Sequence, residues 1–222
     1  MANNVTYYVS QYADYVDAWE IWNEPANPNY PLLNLNVTNE ESQANMGEIV
    51  DFYYSMVQTA SPIIRQSDPT AKILLFGGLN LYSGGDDHLS LDMNFSRELA
   101  SKNIEQYGDA ISVHAYPWGQ VEPRVWESYT ESLAYYRGLF TNKSLEIWVT
   151  ETGQSMEAGG EDGQARYMAD ALGYFQGKVT HLFCYSLVDN AQDLGSFGLI
   201  GNEATPRPAY NVLQNFTEAI DK

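Results

Sequence analysis

Two glutamates stand at matching places in this chain. Glu24 closes "EIWNE" (residues 20–24), and Glu151 closes "EIWVTE" (residues 146–151). Each follows an apolar, Trp-containing run, and each is followed within two residues by Pro25 or Gly153. A lone glutamate of this kind reads as a solvated loop residue. Two carboxyls facing one cleft can do more. One, kept protonated, hands a proton to a leaving oxygen. The other, ionised, attacks an acetal carbon or activates water.

The elements that must position such a pair alternate along the sequence. Five apolar runs, at 18–24, 72–77, 111–116, 146–151 and 181–187, read as strands. Helical patterns fill the spaces between them, with one more over 5–16 and a last one over 207–221. Thr38 or Asn39 can cap the long helix that runs on through residue 66, with Glu40 and Glu41 in its first turn. Strands that are continuous apolar runs between helices predict a parallel sheet with helices packed on it. No linker divides the chain, so residues 1–222 are expected to form one domain. In such folds reactive groups gather at the carboxyl ends of strands. Those ends carry Asn23 and Glu24, Gly77 and Gly78, His114 and Tyr116, Glu151, and Tyr185 with Asp189.

Composition narrows the partners. Acidic residues number 29 against 11 Lys and Arg, for a net charge of −18. That argues against nucleic acid, whose phosphates need clustered cations. No run of eighteen apolar residues predicts a membrane span. Cys184, the single cysteine, cannot form an internal disulfide and reads as a small buried hydrophobe. No Cys or His spacing suits zinc, and neither a metal nor another cofactor is expected. Only 18% of residues are charged, which suits an acidic medium. Five glycosylation sequons, at Asn4, Asn36, Asn94, Asn142 and Asn215, add weak support for an extracellular home, although residues 1–15 do not read as a signal peptide.

The segments together resemble glycoside hydrolase clan A. "WEIWNEP" resembles the acid/base segment at the end of that clan's fourth strand, and "IWVTETG" its nucleophile segment at the end of the seventh. "VHAYP" is similar to the sixth strand, and "CYSLVD" with "FGLI" and "TPRPAYNVL" to the eighth strand and closing helix. The cellulase-like family five and the xylosidase-like family thirty-nine are the nearest in character. The resemblance implies a (β/α)8 barrel, incomplete here, with about five βα units corresponding to strands four to eight. It implies a retaining enzyme that cleaves β-linked glucan, mannan or xylan, with Glu24 as acid/base and Glu151 as nucleophile. Asn23 would hydrogen-bond the sugar 2-hydroxyl, and Tyr116 would donate to Glu151. His114 stands either as a subsite residue or as a hydrogen-bonded barrel histidine. Tyr185 occupies a position where the clan usually has Trp, and a platform role there stands beside one in packing. Trp118 and Asp189 stand as sugar contacts or as loop and packing residues. Glu20 reads as a structural group below the reacting layer, and Trp19, Trp22 and Trp148 as packing residues.

The clan's first three βα units have no counterpart before residue 18. They normally supply an Arg and a His near the nucleophile, and no residue here matches either. A fragment or split product, a partial barrel that closes by dimerising, and a non-catalytic sugar-binding or scaffold remnant are the alternatives. An exposed sheet edge predicts association, either as a homodimer or with a partner chain that completes the barrel.

Overall fold

The computed structural model describes residues 1–28, 38–81, 88–117, 124–140, 144–190, 195–201 and 204–220. Helix α1 (Ala2–Tyr12) leads into strand β1 (Ala18–Glu20), then helices α2 (Asn39–Ala44) and α3 (Met46–Ser67). Four strands follow in alternation with helices: β2 (Lys72–Asn80), α4 (His88–Ser101), β3 (Ala110–Ala115), α5 (Arg124–Leu139), β4 (Glu146–Thr152), α6 (Gly160–Phe175) and β5 (His181–Cys184). Helix α7 (Pro208–Ile220) closes the chain. The strands pair in sequence order, and every pair is parallel. The result is a curled half-barrel with helices on its outer face, the parallel sheet expected from the alternation and the incomplete (β/α)8 architecture implied by the resemblance.

The outer layer forms because the helices carry apolar residues at helical spacing. In α3, Ile49, Tyr53, Met56, Val57, Ala60 and Ile64 recur every three or four residues and are buried in the same core as Ile73 and Leu75 of β2. Thr38 caps α2 by accepting the Glu41 N–H at 3.1 Å, and its hydroxyl donates back to the Glu41 carboxylate. The long helix expected here is in fact two, broken at Asn45. The first helix runs over Ala2–Tyr12 instead of 5–16.

Tyrosine hydroxyls on these helices reach through the core to strand ends. Tyr53 of α3 donates to Ile21 O and accepts from Phe76 N–H at 2.6 Å. Tyr136 of α5 donates to Asn80 O. Tyr167 of α6 donates to Ala115 O at 2.7 Å and lies 2.8 Å from the Thr152 hydroxyl. Strand ends leave backbone groups unpaired, and each buried one needs a partner. Here the partners come from rigid, fully packed rings.

Three strand ends differ from expectation by more than one residue. The first strand ends at Glu20, not at residue 24, because Trp22 (φ 70°) and Glu24 (φ 44°) take the left-handed region. The chain still tracks β2, with the Ile21 N–H on Leu74 O and the Glu24 N–H on Gly77 O at 2.5 Å. Strand β2 does not end at its glycines but runs through them to Asn80. Between Leu75 and Leu79 it advances four residues while β3 advances two, with Phe76, Gly77 and Gly78 all at positive φ. The last strand stops at Cys184, so Tyr185 opens a loop.

The expectations for smaller features also meet corrections. Cys184 is only partly buried, with its sulfur 3.6 Å from that of Met168, and burial pushes its thiol up to about 11. Trp148 packs with Leu74 and Ala110 as expected, and Trp19 donates to Asp68. Trp22, expected to pack, is 47% exposed. In the Asn94 sequon Ser96 is fully buried in α4 while Asn94 itself is partly exposed, and Asn4 lies on the exposed part of α1. Asn36 and Asn142 lie outside the described residues. No described helix is long and apolar enough to cross a membrane.

Candidate active site

The carboxyl ends of β1, β3 and β4 bring Glu24, His114, Tyr116 and Glu151 together. Glu24 is 7% exposed. Its Oε1 is 2.7 Å from Nδ1 of His114, and its Oε2 accepts from Asn27 Nδ2 at 2.6 Å. Glu151 Oε2 accepts from the Tyr116 hydroxyl at 2.7 Å and lies 3.7 Å from the same His114 Nδ1. No described residue hydrogen-bonds the other Glu151 oxygen.

One nitrogen therefore sees both carboxylates. Two legs of 2.7 and 3.7 Å limit the separation of these carboxylate oxygens to roughly 6.4 Å. Carboxyls that trap a water between them on opposite sides of a sugar stand about 6.5–9.5 Å apart, whereas an acid and a nucleophile stand about 5–5.5 Å apart. The bound applies to the two oxygens that face His114 and puts both carboxyls in one site.

His114 is almost fully buried. Burial opposes its cation, but the Glu24 hydrogen bond and the charges of Glu151, Glu24 and Glu20 outweigh that and raise its pKa above the usual imidazole value. Burial keeps the Tyr116 phenol far above its ordinary range, with Glu151 adding to the effect, so Tyr116 stays a donor. Its ring meets those of His114, Tyr185 and Phe197 edge to face, at centroid distances of 6.3, 6.3 and 5.7 Å.

Glu24 sits in backbone strain of the kind that collects at functional sites. Its position is set by the Gly77 carbonyl and by the Tyr53 hydroxyl beneath Ile21. Asn23, beside it, has an exposed side chain. Tyr185 faces the site through its contacts with Tyr116 and Phe197. Trp118 lies outside the described residues.

Asp189 is engaged within the protein, which favours the loop and packing role left open for it. Both its oxygens are taken by Arg207, at 2.9 and 2.5 Å, and Oδ1 also accepts the Gly198 N–H at 2.8 Å. Arg207 holds the Asp189 carboxyl below its usual range. The pair ties the loop after β5 to the start of α7.

Four residues of the site lay outside the sequence reading. Asn27 had no signal beyond its place three residues after Glu24. Phe197 lay in a loop whose return to the strand ends was not visible. Asp92 of α4 is buried and accepts both the backbone and side-chain N–H of Asn80. Its partner Asn80 was placed beyond the strand, because the glycines before it read as an end. Among the described residues no cluster of His, Cys, Asp and Glu suits a metal ion.

Residues 2–190 match the family described as Cellulase (glycosyl hydrolase family 5). No curated protein gives a significant match. A family 39 glycoside hydrolase from Bacteroides cellulosilyticus superposes with a TM-score of 0.65 at 19% identity, covering 99% of this chain and 44% of that one. Xylanase 10B from Thermotoga petrophila gives 0.61 at 16% identity, covering 100% and 65%. A monomeric beta-xylosidase from Caulobacter crescentus gives 0.63 at 14% identity, covering 97% and 46%. At these identities the likeness is one of fold. The chain spans less than two thirds of the length of these three structures.

Proposed function

Because the chain belongs to the cellulase family, glycosyl hydrolase family 5, within glycoside hydrolase clan A, we propose that it acts as a retaining glycoside hydrolase on a β-linked glucan, mannan or xylan. The observation that carries this is the single His114 nitrogen 2.7 Å from Glu24 and 3.7 Å from Glu151. It supports two carboxyls close enough to serve one anomeric carbon.

Glu151 attacks that carbon while Glu24 gives its proton to the departing glycosidic oxygen. The C–O bond breaks, and a glycosyl ester forms on Glu151. Water then gives a proton to Glu24 and attacks the same carbon, releasing Glu151 with the starting configuration retained. The Tyr116 hydroxyl holds one Glu151 oxygen, which directs the other at the sugar. His114 and Asn27 fix both Glu24 oxygens. In this reading Asn23, exposed beside Glu24, meets the 2-hydroxyl, and Tyr185 with Phe197 offers aromatic surface beside Tyr116. A polymeric substrate fits an extracellular role.

The sheet ends at β1 and β5, and Phe183, Leu187 and Val188 beside β5 are exposed. A second copy or a partner chain covering these edges is part of the proposal. A strictly monomeric, well-folded species in dilute sedimentation contradicts that part.

The assay is hydrolysis of chromogenic β-glucosides, β-xylosides and β-mannosides across acid pH. Glu151→Gln is expected to abolish turnover. Glu24→Ala is expected to lose activity on poor leaving groups and to recover it with added azide, yielding a β-glycosyl azide. Near-normal activity of Glu151→Gln excludes the nucleophile role.

A further inference from the structure

One layer beneath the reacting groups, Glu20 of β1 reaches across the inner face of the sheet. Its Oε1 accepts from the Ser112 hydroxyl of β3, and from the Thr150 hydroxyl of β4 at 3.2 Å. The two hydroxyls are themselves 3.1 Å apart. Strand β2 lies between β1 and β3, and the Glu20 side chain spans it to reach both hydroxyls. Phe76 packs outward against Phe140, and the next two residues are glycines. The His114 imidazole fills the space beside Gly78, so the side chains of this inner layer are Glu20, Ser112, Thr150 and His114.

Both partners of Glu20 adjoin reacting groups. Ser112 is two residues before His114 on the same face of β3. Thr150 immediately precedes Glu151. Consecutive strand residues ordinarily face opposite ways, but β4 carries a bulge here. Val149 pairs with Val113 and Glu151 with His114, so Thr150 is the extra residue. Val149 lies in the helix-side core, and Thr152 turns outward to Tyr167. Thr150 and Glu151 therefore both face inward, one to Glu20 and the other to Tyr116.

We propose that Glu20 is a positioning residue, which clamps β1 to β3 and β4 through Ser112 and Thr150 and so holds Glu24, His114 and Glu151 at their spacing. Its oxygen replaces the backbone ladder that β1 cannot form with strands it does not touch. Its charge also belongs to the set that faces His114, together with Glu24, Glu151 and Asp92. The catalytic part of this inference rests on the glycosidase reading above.

The test uses the full chain with Glu20→Gln and Glu20→Ala. Gln keeps an acceptor oxygen for the two hydroxyls but loses the charge, and Ala loses both. Carbon-detected NMR of the imidazole, with the His114 signal identified through a His114→Gln variant, reads the local field without turnover. Hydrolysis of an aryl glycoside reads the geometry. In Glu20→Gln the His114 titration midpoint is expected to fall by about half a pH unit, with most of kcat kept. In Glu20→Ala kcat is expected to fall on the order of 100-fold, with KM changed less than about twofold. A folded Glu20→Ala with unchanged kcat overturns the positioning role. An unmoved His114 titration in Glu20→Gln overturns the electrostatic part, and a folded Ser112→Ala, Thr150→Val double variant with unchanged kcat overturns the clamp even if Glu20→Ala fails to fold. A wild-type chain without turnover on any aryl glycoside contradicts the glycosidase reading, while His114 imidazole shifts unchanged in a folded Glu20→Ala overturn this one.

Discussion

A methyl group added at Gly78 would sit 2.1 Å from Nε2 of His114. The imidazole occupies the space a side chain would take, and Gly78 has φ near 90°, a conformation that only glycine adopts freely. Glu24 depends on the same stretch, since its N–H is held by the carbonyl of Gly77. The glycine pair is therefore a seat for both His114 and the acid/base candidate.

Gly78→Ala is expected to displace His114, cost about 1–3 kcal/mol of stability, and reduce kcat on the order of 100-fold. Chemical denaturation together with the aryl-glycoside assay checks it. Ala100→Gly on the partly buried side of α4 serves as a control that changes stability without touching the site.

Tyr53→Phe removes a fully buried hydroxyl that bridges Ile21 O and Phe76 N–H. Both backbone groups lose a partner while the ring still fits. The expected cost is about 2 kcal/mol. Because those groups flank Glu24 and Gly77, a loss of kcat should accompany it. Urea unfolding of the two proteins measures the first and steady-state rates the second.

Stability should fall as pH rises from the acid range towards neutrality. Burial pushes the Asp92 carboxyl up to about 7, against the hydrogen bonds from Asn80. Between the ordinary value of 3.8 and that level the folded protein holds a proton that the unfolded chain releases. Its contribution is complete at low pH and is lost on the way to 7. His114, also raised, adds in the same sense, with stability present below 6.5 and lost above it as its folded pKa is passed. Asp189 and Glu146 act oppositely. Arg207 and Lys72 hold them low, so their contributions vanish as pH drops below the ordinary carboxylate range. Melting temperature should therefore peak near about pH 4–5. Asp92→Asn should flatten the neutral side of the curve and leave the acid side unchanged.

Arg207→Met leaves the Asp189 carboxylate, 6% exposed, without its cation. Breaking such a buried pair costs about 3 kcal/mol. The loop that carries Phe197 should loosen, which is read as a rise in KM larger than the fall in kcat. Replacing both partners, as Asp189→Leu with Arg207→Met, should recover much of the stability.

The elements were legible because each strand is an apolar run bounded by breakers and each helix keeps its period. Glu24 and Glu151 were legible because polar groups at the end of a Trp-rich strand stand out. The rest depended on backbone geometry that residue types do not encode. The left-handed turns at Trp22 and Glu24 shorten the first strand and expose Trp22, where alternation implied a buried ring. Gly77 and Gly78 looked like a strand end because glycine commonly ends strands. They instead form a kink that makes room for His114. Asp189 looked available because its cation, Arg207, lies 18 residues away across a loop. The inward turn of both Thr150 and Glu151 comes from a bulge that only pairing with β3 reveals.

The most direct measurement is intact mass and peptide mapping after incubation with an activated 2-deoxy-2-fluoro-β-glycoside. The fluorine slows release of the glycosyl ester, so a retaining enzyme accumulates it. One fluoroglycosyl unit on Glu151, lost with time in buffer and absent from Glu151→Gln, is the predicted result. Turnover of the aryl glycoside with no adduct, or an adduct on Glu24, would contradict the assignment of Glu151 as nucleophile and Glu24 as acid/base.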